Sequence, residues 1–319
     1  MTGANSVNED EGVPIAQANG IEIAFETTGD AAGAPLLLVM GFAAQLVAWD
    51  DEFCENLADR GFYVIRFDNR DTGLSTKFDG AREPTLLTAY VRAYARRRIR
   101  APYTLSDMAD DAFGLLDWLE IDRAHVVGVS MGGMIAQRMA LSRPDRVLSL
   151  TSIMSTTGNR AVGTAQPQTI ALLLTPPRPD REGYIEDTVE VSRTVNGTGV
   201  PFAEDRARAR AGRAWDRCYH PTGGARHMLA VLASGDLTKA LKGMQVPTLV
   251  IHGARDPLVD PSGGRATAAA VPNAELLVVP EMGHALAPAV WPTIIDAVAD
   301  HAAGRGTSDH DGEGKAVRP

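Results

Sequence analysis

Residues 125–137 read HVVGVSMGGMIAQ: four apolar residues lead into Ser130, which is flanked by Gly128, Gly132 and Gly133. A β-branched run of this length reads as a buried strand, and MIAQRMAL after it reads as a helix. The serine therefore sits on a sharp strand-to-helix turn, in the G-x-S-x-G pattern. Such a turn brings neighbouring backbone close, so side chains at Gly128 and Gly132 would collide. It also lifts the hydroxyl clear of the sheet edge and sets the positive end of a helix beneath it. The ordinary alternative is a serine that caps the helix with its side chain. The two uses separate on whether partners for a nucleophile exist elsewhere in the chain.

Outward from this stretch, strands and helices alternate. APLLLVMGF (34–42) is a buried strand, FCENLADRG (53–61) a short helix closed by Gly61, and FYVIRFDNR (62–70) the next strand. In TLSDMADDAFGLLDWLEI (104–121), Leu105, Met108, Ala109, Ala112, Leu115, Leu116 and Leu119 recur at spacings of three and four, the signature of an amphipathic helix. AHVVGVS and RVLSLTSIM flank the helix after Ser130 as strands. The pattern lapses between about 156 and 242, a region rich in Arg, Pro and Gly that reads as loops and helical segments. It resumes with VPTLVIHGARD, then AELLVVPEMGH, and closes on the helix WPTIIDAVADHAA. Alternation of this kind predicts a mostly parallel sheet flanked by helices. The economical organisation is a core of 13–155 and 243–302 carrying a helical cap insertion at 156–242, with disordered tails at 1–12 and 303–319.

Composition narrows the function classes. The 319-residue chain is 45% hydrophobic and 22% charged, with a formal net charge of −9. That balance suits a globular protein and disfavours a nucleic-acid backbone as partner. The basic run Arg96–Arg100 reads as a solvated face. Two cysteines, Cys54 and Cys218, are too few for a disulfide framework and fit no metal or CxxC spacing. No apolar run is long enough to span a bilayer. The polar, acidic N-terminus lacks a secretory signal, so the sequon at Asn196 reads as chance and the expected location is cytoplasmic.

A serine hydroxyl needs a base, and the base needs an orienting acid. In an open parallel sheet these belong on loops after the carboxyl ends of later strands. Asp256 follows TLVIHGAR and His284 follows LLVVPEMG. The other histidines fit less well: His252 lies inside a strand, His125 begins the nucleophile strand, His220 and His227 fall in the insertion, and His301 and His310 have no strand before them. Asp260 comes four residues late. After VLSLTSIM, where an acid could also stand, the chain has Ser155 and Thr156.

The order Ser130, Asp256, His284 on these strand ends resembles the α/β-hydrolase superfamily over roughly residues 13 to 302. LLLVMGFAAQLVAWDDEF, VIRFDNRDTGLST and HVVGVSMGGMIAQ together resemble its bacterial serine carboxylesterase branch, to which aclacinomycin methylesterase belongs. The resemblance implies an eight-stranded sheet and an oxyanion hole built from the backbone amides of Met131 and Phe42. Many superfamily members carry His-Gly in the first loop; this chain has Met40-Gly41, a departure that bears on substrate shape. Gly41 and Trp49 are candidates for the pocket wall. Asp68, Arg70, Asp71 and Ser75 in FDNRDTGLS read as a charge-paired scaffold. The expected activity is hydrolysis of a small-molecule carboxylic ester through an acyl-enzyme, with no cofactor or metal, by a monomer or homodimer. Rival readings are a lipase or thioesterase acting on longer acyl chains, a cofactor-free perhydrolase, and a ligand sensor that keeps a hydrolase pocket.

Overall fold

The computed structural model of the protein describes residues 12–306 apart from 82–83, 96 and 176. The tail expectations for 1–11 and 307–319, and Arg96 of the basic run, lie outside the described residues.

The chain opens with a hairpin, β1 (Ile15–Ala18) and β2 (Ile21–Thr28), whose turn uses Asn19 and Gly20 at φ 49° and 75°. Asn-Gly suits such a turn because both positions need positive φ. Next come β3 (Ala34–Val39), α1 (Asp51–Ala58), β4 (Phe62–Phe67), α2 (Leu86–Tyr94) and α3 (Leu105–Trp118). α3 begins at a capping box in which the Thr104 hydroxyl accepts from the Asp107 amide and the Asp107 carboxylate reaches back to the Thr104 amide. Gly61, at φ 88°, donates to the Ala58 carbonyl at 2.8 Å and turns the chain out of α1, as its position suggests.

β5 (Ala124–Val129), α4 (Met131–Ser142) and β6 (Val147–Ile153) surround Ser130. Five helices follow before the sheet resumes: α5 (Pro167–Leu174), α6 (Arg181–Asn196), α7 (Glu204–Arg217), α8 (Gly223–Ser234) and α9 (Thr238–Leu241). The core then closes with β7 (Thr248–Gly253), α10 (Ser262–Ala270), β8 (Glu275–Val279) and α11 (Trp291–Ala302).

The sheet has eight strands in the order β1-β2-β4-β3-β5-β6-β7-β8. β1 and β2 run antiparallel to their neighbours, and β3 to β8 are parallel. The expected eight-stranded, mostly parallel architecture is the one observed. Central strands are covered on both faces, which is why they read as continuous apolar runs rather than alternating ones. Leu37, Val39, Ile65 and Val126 pack with α3 and α4 on one face. Leu36, Leu38, Val127 and Ile251 pack with α1 and α11 on the other.

The segment between β6 and β7 is tied to the core by charge. Arg213 reaches Asp51 at 2.5 Å, Arg217 reaches Asp68 at 2.6 Å, and Arg226 grips both oxygens of Asp71 at 2.9 Å. Arg217 and Asp68 are nearly buried, as are Arg226 and Asp71. Removing one partner of either pair would leave an uncompensated buried charge, at a cost of about 3–5 kcal/mol.

Candidate active site

Ser130 stands at φ 54°, ψ −120° between β5 and α4. This is a conformation L-residues rarely adopt, and it persists only where the surroundings over-determine it. The Ser130 amide donates to Ile153 O at 2.9 Å, and its carbonyl accepts from Ser155 Oγ at 2.7 Å and Gly133 N at 3.0 Å. A Cβ on Gly128 would strike the Gly132 carbonyl, and one on Gly132 would strike the carbonyl of Val39 in β3. Both glycines are therefore required by backbone approach. The hydroxyl makes no capping hydrogen bond to α4, so the N-cap use of this serine is set aside.

Asp256 and His284 arrive on the loops after β7 and β8. Asp256 Oδ1 accepts from the amides of Leu258 and Val259, both at 2.8 Å, and Oδ2 lies 2.7 Å from His284 Nδ1. Burial alone would raise the Asp256 pKa. The charge of His284, with hydrogen bonds from His252, His284 and Val259, more than offsets this and brings it to about 2. An ionised Asp256 can only accept. His284 Nδ1 is accordingly the donor, leaving Nε2 as the ring's basic nitrogen. The His284 amide donates to Val195 O at 2.7 Å, so the loop is held by the end of α6. Ser130 and His284 line one cavity of about 250 Å³, with no hydrogen bond between their side chains among the described residues. Such bonds are often formed only when substrate is bound.

Gly41 and Phe42 line the same cavity, and Gly41 packs directly against Ser130. The amides of Phe42 and Met131 donate to no other group among the described residues. The next amide in the loop does: Ala43 N donates to His227 Nδ1 at 3.2 Å. Ala43 itself sits at φ 53°, so the loop's curvature is anchored at this point.

Trp49 is placed elsewhere. It is fully buried in the core, stacked on Phe53 with ring centroids 5.8 Å apart, and lines neither cavity at the site. The Asp68–Ser75 loop is charge-paired throughout. Asp68 takes Leu46 N, Leu74 N and Arg217; Arg70 forms a two-pronged pair with Asp111 at 2.6 Å; Asp71 takes Arg226, Tyr103 and Phe78 N. Ser75 Oγ donates to Asp68 O at 2.7 Å. None of these four side chains faces the cavity of Ser130.

Sequence reasoning passed over three neighbours of the site. His252, inside β7, contacts Val259 O at 2.8 Å and lies 3.4 Å from Asp256 Oδ2. His227, on α8, holds the loop after β3. Arg210, on α7, faces both the 250 Å³ cavity and an adjoining one of about 670 Å³. His252 could have been found from its spacing of four to Asp256. Nothing local in the sequence distinguishes the other two. Among the described residues, no cluster of three or more His, Cys, Asp or Glu side chains could hold a metal, and no helix is long and apolar enough to cross a membrane.

Comparison with known proteins agrees with this architecture. A family model described as alpha/beta hydrolase fold matches residues 34–287. The chain is 32% identical over 305 residues to a rhodomycin D methylesterase of Streptomyces sp. strain C5, covering 86% of this chain and 93% of that one. It is also 32% identical, over 295 residues with the same coverage, to the rhodomycin D methylesterase of Streptomyces peucetius. Among solved structures, a hydrolase from Pseudomonas aeruginosa superposes with a TM-score of 0.67 at 25% identity, covering 94% of this chain and all of that one.

Proposed function

The chain belongs to the alpha/beta hydrolase family, and from that premise we propose that it is a carboxylic ester hydrolase whose nucleophile is Ser130, base His284 and acid Asp256. The observation that carries this reading is the His284–Asp256 hydrogen bond of 2.7 Å beside a serine held at positive φ in the same cavity.

The chemistry follows from the geometry. Ser130 Oγ attacks the ester carbonyl as His284 Nε2 takes its proton. Negative charge collects on the carbonyl oxygen, where the Met131 and Phe42 amides have uncommitted donors to offer. His284 returns the proton to the departing alcohol, leaving an acyl-serine. Water, activated by the same imidazole, releases the acid. Asp256 stays ionised throughout, fixing the ring's tautomer and stabilising the imidazolium.

The methylesterase relatives point to methyl esters as substrates, with methanol leaving. The two adjoining cavities support this division of labour: a small chamber at Ser130 and a larger one for the bulk of the acid. Residues 156–242 act in this proposal as a cap that shapes both chambers, and the enzyme works in the cytoplasm.

A fluorophosphonate probe followed by a panel of esters tests the reading. The expected result is a mass shift on the peptide carrying Ser130, together with methanol release from methyl esters. Absence of labelling overturns the assignment of Ser130; labelling without turnover of any ester makes the protein a sensor.

A further inference from the structure

Among the described residues, the other cationic side chains on the walls of the two cavities are paired, while one carboxylate of the larger cavity, Glu190, has no ion pair. Arg206 lies 2.5 Å from Glu52 and 3.4 Å from Asp50; Arg178 lies 2.9 Å from both Glu186 and Asp187. His220 sits within hydrogen-bond distance of Arg226 and Thr222. Arg210 differs. It lines both cavities, at the wall they share with Phe42, Ala44, Ala48, Val191 and Ser192, and among the described residues its side chain has neither a hydrogen bond nor an ion pair.

A guanidinium presents five N–H donors, and those of the half-buried Arg210 open onto the cavities instead of onto acceptors of the chain. Burial lowers the Arg210 pKa; the charge of Asp50 offsets part of this, and neighbouring Arg213 adds to it. Asp50, the acid that Arg210 senses, is already engaged in capping α1 through Glu52 N and in the contact with Arg206. Of the residues that line both cavities with it, only Ser192 is polar, and among the described residues none is hydrogen-bonded to the guanidinium.

Resting on the ester-hydrolase reading above, we propose that Arg210 is a substrate-recognition residue that binds an anionic oxygen on the acid portion of the ester. A carboxylate is the group whose paired oxygens match the guanidinium fork. At the junction of the two cavities, this contact would hold the substrate's larger part while its ester carbonyl lies at Ser130. The substrate class is thus an ester that carries a second, ionised acidic group.

The test compares monomethyl adipate with dimethyl adipate, a matched pair differing by one anionic carboxylate, and uses adipate itself as a ligand. Wild type should favour the monoester in kcat/KM. Arg210→Gln should shrink the monoester-to-diester ratio by about 10–100-fold, the range expected for lost hydrogen bonds to a charged group. Arg210→Lys should recover part of it. A methyl ester bearing a nitrophenol, read above and below its ionisation, separates a phenolate source from a carboxylate one.

Independently of turnover, adipate should raise the melting temperature of wild type and not that of Arg210→Gln. An unmoved wild-type melting temperature, or a ratio unaltered by Arg210→Gln, overturns the anion site. Either result leaves Ser130 labelling and diester hydrolysis intact, so it is distinct from failure of the ester-hydrolase reading.

Discussion

The Ala43 amide donates to His227 Nδ1 at 3.2 Å, joining the loop after β3 to helix α8 across 184 residues of sequence. The ring's other nitrogen, Nε2, lies 2.7 Å from the Arg70 carbonyl. A carbonyl only accepts, so Nε2 carries the proton and Nδ1 the lone pair. His227 is completely buried, and that burial lowers its pKa, which favours this neutral form. With Ala43 engaged in this way, its amide is not available to an oxyanion, whereas that of Phe42 is uncommitted.

His227 is accordingly expected to be a positioning residue. His227→Ala should lower kcat about 10–100-fold with little change in KM, because a loop displaced by an ångström loses stabilisation realised only in the transition state. It should also cost about 1–3 kcal/mol of stability through the stranded Ala43 N–H. Steady-state kinetics and a denaturant melt together check this. A stability loss with unchanged kcat would make the residue structural only.

Removing members of the proposed triad should act as loss of a unit. Ser130→Ala is expected to retain far less than a tenth of wild-type kcat, and Asp256→Asn to cost on the order of 10⁴ by freeing the wrong tautomer of His284. Asp260 is exposed, and among the described residues its carboxylate accepts only from Ser262 N, at 3.0 Å. Asp260→Asn should therefore leave kcat within about twofold, as is usual for surface substitutions away from special features. Damage from Asp260→Asn in place of Asp256→Asn would name the other acid.

These expectations also mark what was legible in the chain. The elbow could be read because backbone crowding leaves only glycine at 128 and 132, and that constraint is local. Asp256 and His284 could be read because strand ends are visible in apolar runs and the topology brings their loops to one edge. The β1–β2 hairpin carried its own signal in Asn19-Gly20, although its short strands lack a long apolar run. Trp49 was misleading: an aromatic near the first loop suits a pocket wall or the core equally, and packing on Phe53 put it in the core. Arg210 and His227 were not legible at all. Arg210 lies in an arginine-rich helix whose pattern looks solvated, and His227 in a mostly apolar one that gives a histidine no distinct role; only the packing of the insertion over the sheet edge turns them toward the site.

The pH dependence of stability follows from four histidines. Burial lowers the pKa of His125, His220, His227 and His301. Each takes up a proton in the unfolded chain near pH 6.5 and resists it in the folded one, so the unfolded state binds more protons as pH falls. Stability should therefore be fully present above about pH 6.5 and decline below it, with a slope of up to about 1.4 kcal/mol per pH unit for each such group. Asp256 acts only much lower: its depressed pKa contributes stability that is lost as pH falls through about 2. Melting temperatures recorded from pH 8 to 5 should slope downward, and His227→Gln should flatten the slope. A wild-type curve that is level or rises toward pH 5 contradicts the argument.

The oxyanion assignment is tested where side chain and amide of one residue can be separated. The Phe42 ring lines the cavity and meets His227 edge-on at 6.3 Å, while its amide is uncommitted. Phe42→Ala keeps the donor and removes the wall, so KM should move more than kcat. Phe42→Pro deletes the N–H, and loss of one such donor costs about 2.7–4 kcal/mol in the transition state, or 10²–10³ in kcat. Proline also drives Gly41 toward extended backbone, so a melt must first show the fold intact. The His227–Ala43 hydrogen bond works in favour of this experiment by pinning the residue that follows. Equal kcat in the two variants would show that Phe42 N–H does not face the oxyanion. Because Ala43 N–H is already held by His227, it could then take over only by breaking that bond, and the second donor would have to be sought in another group.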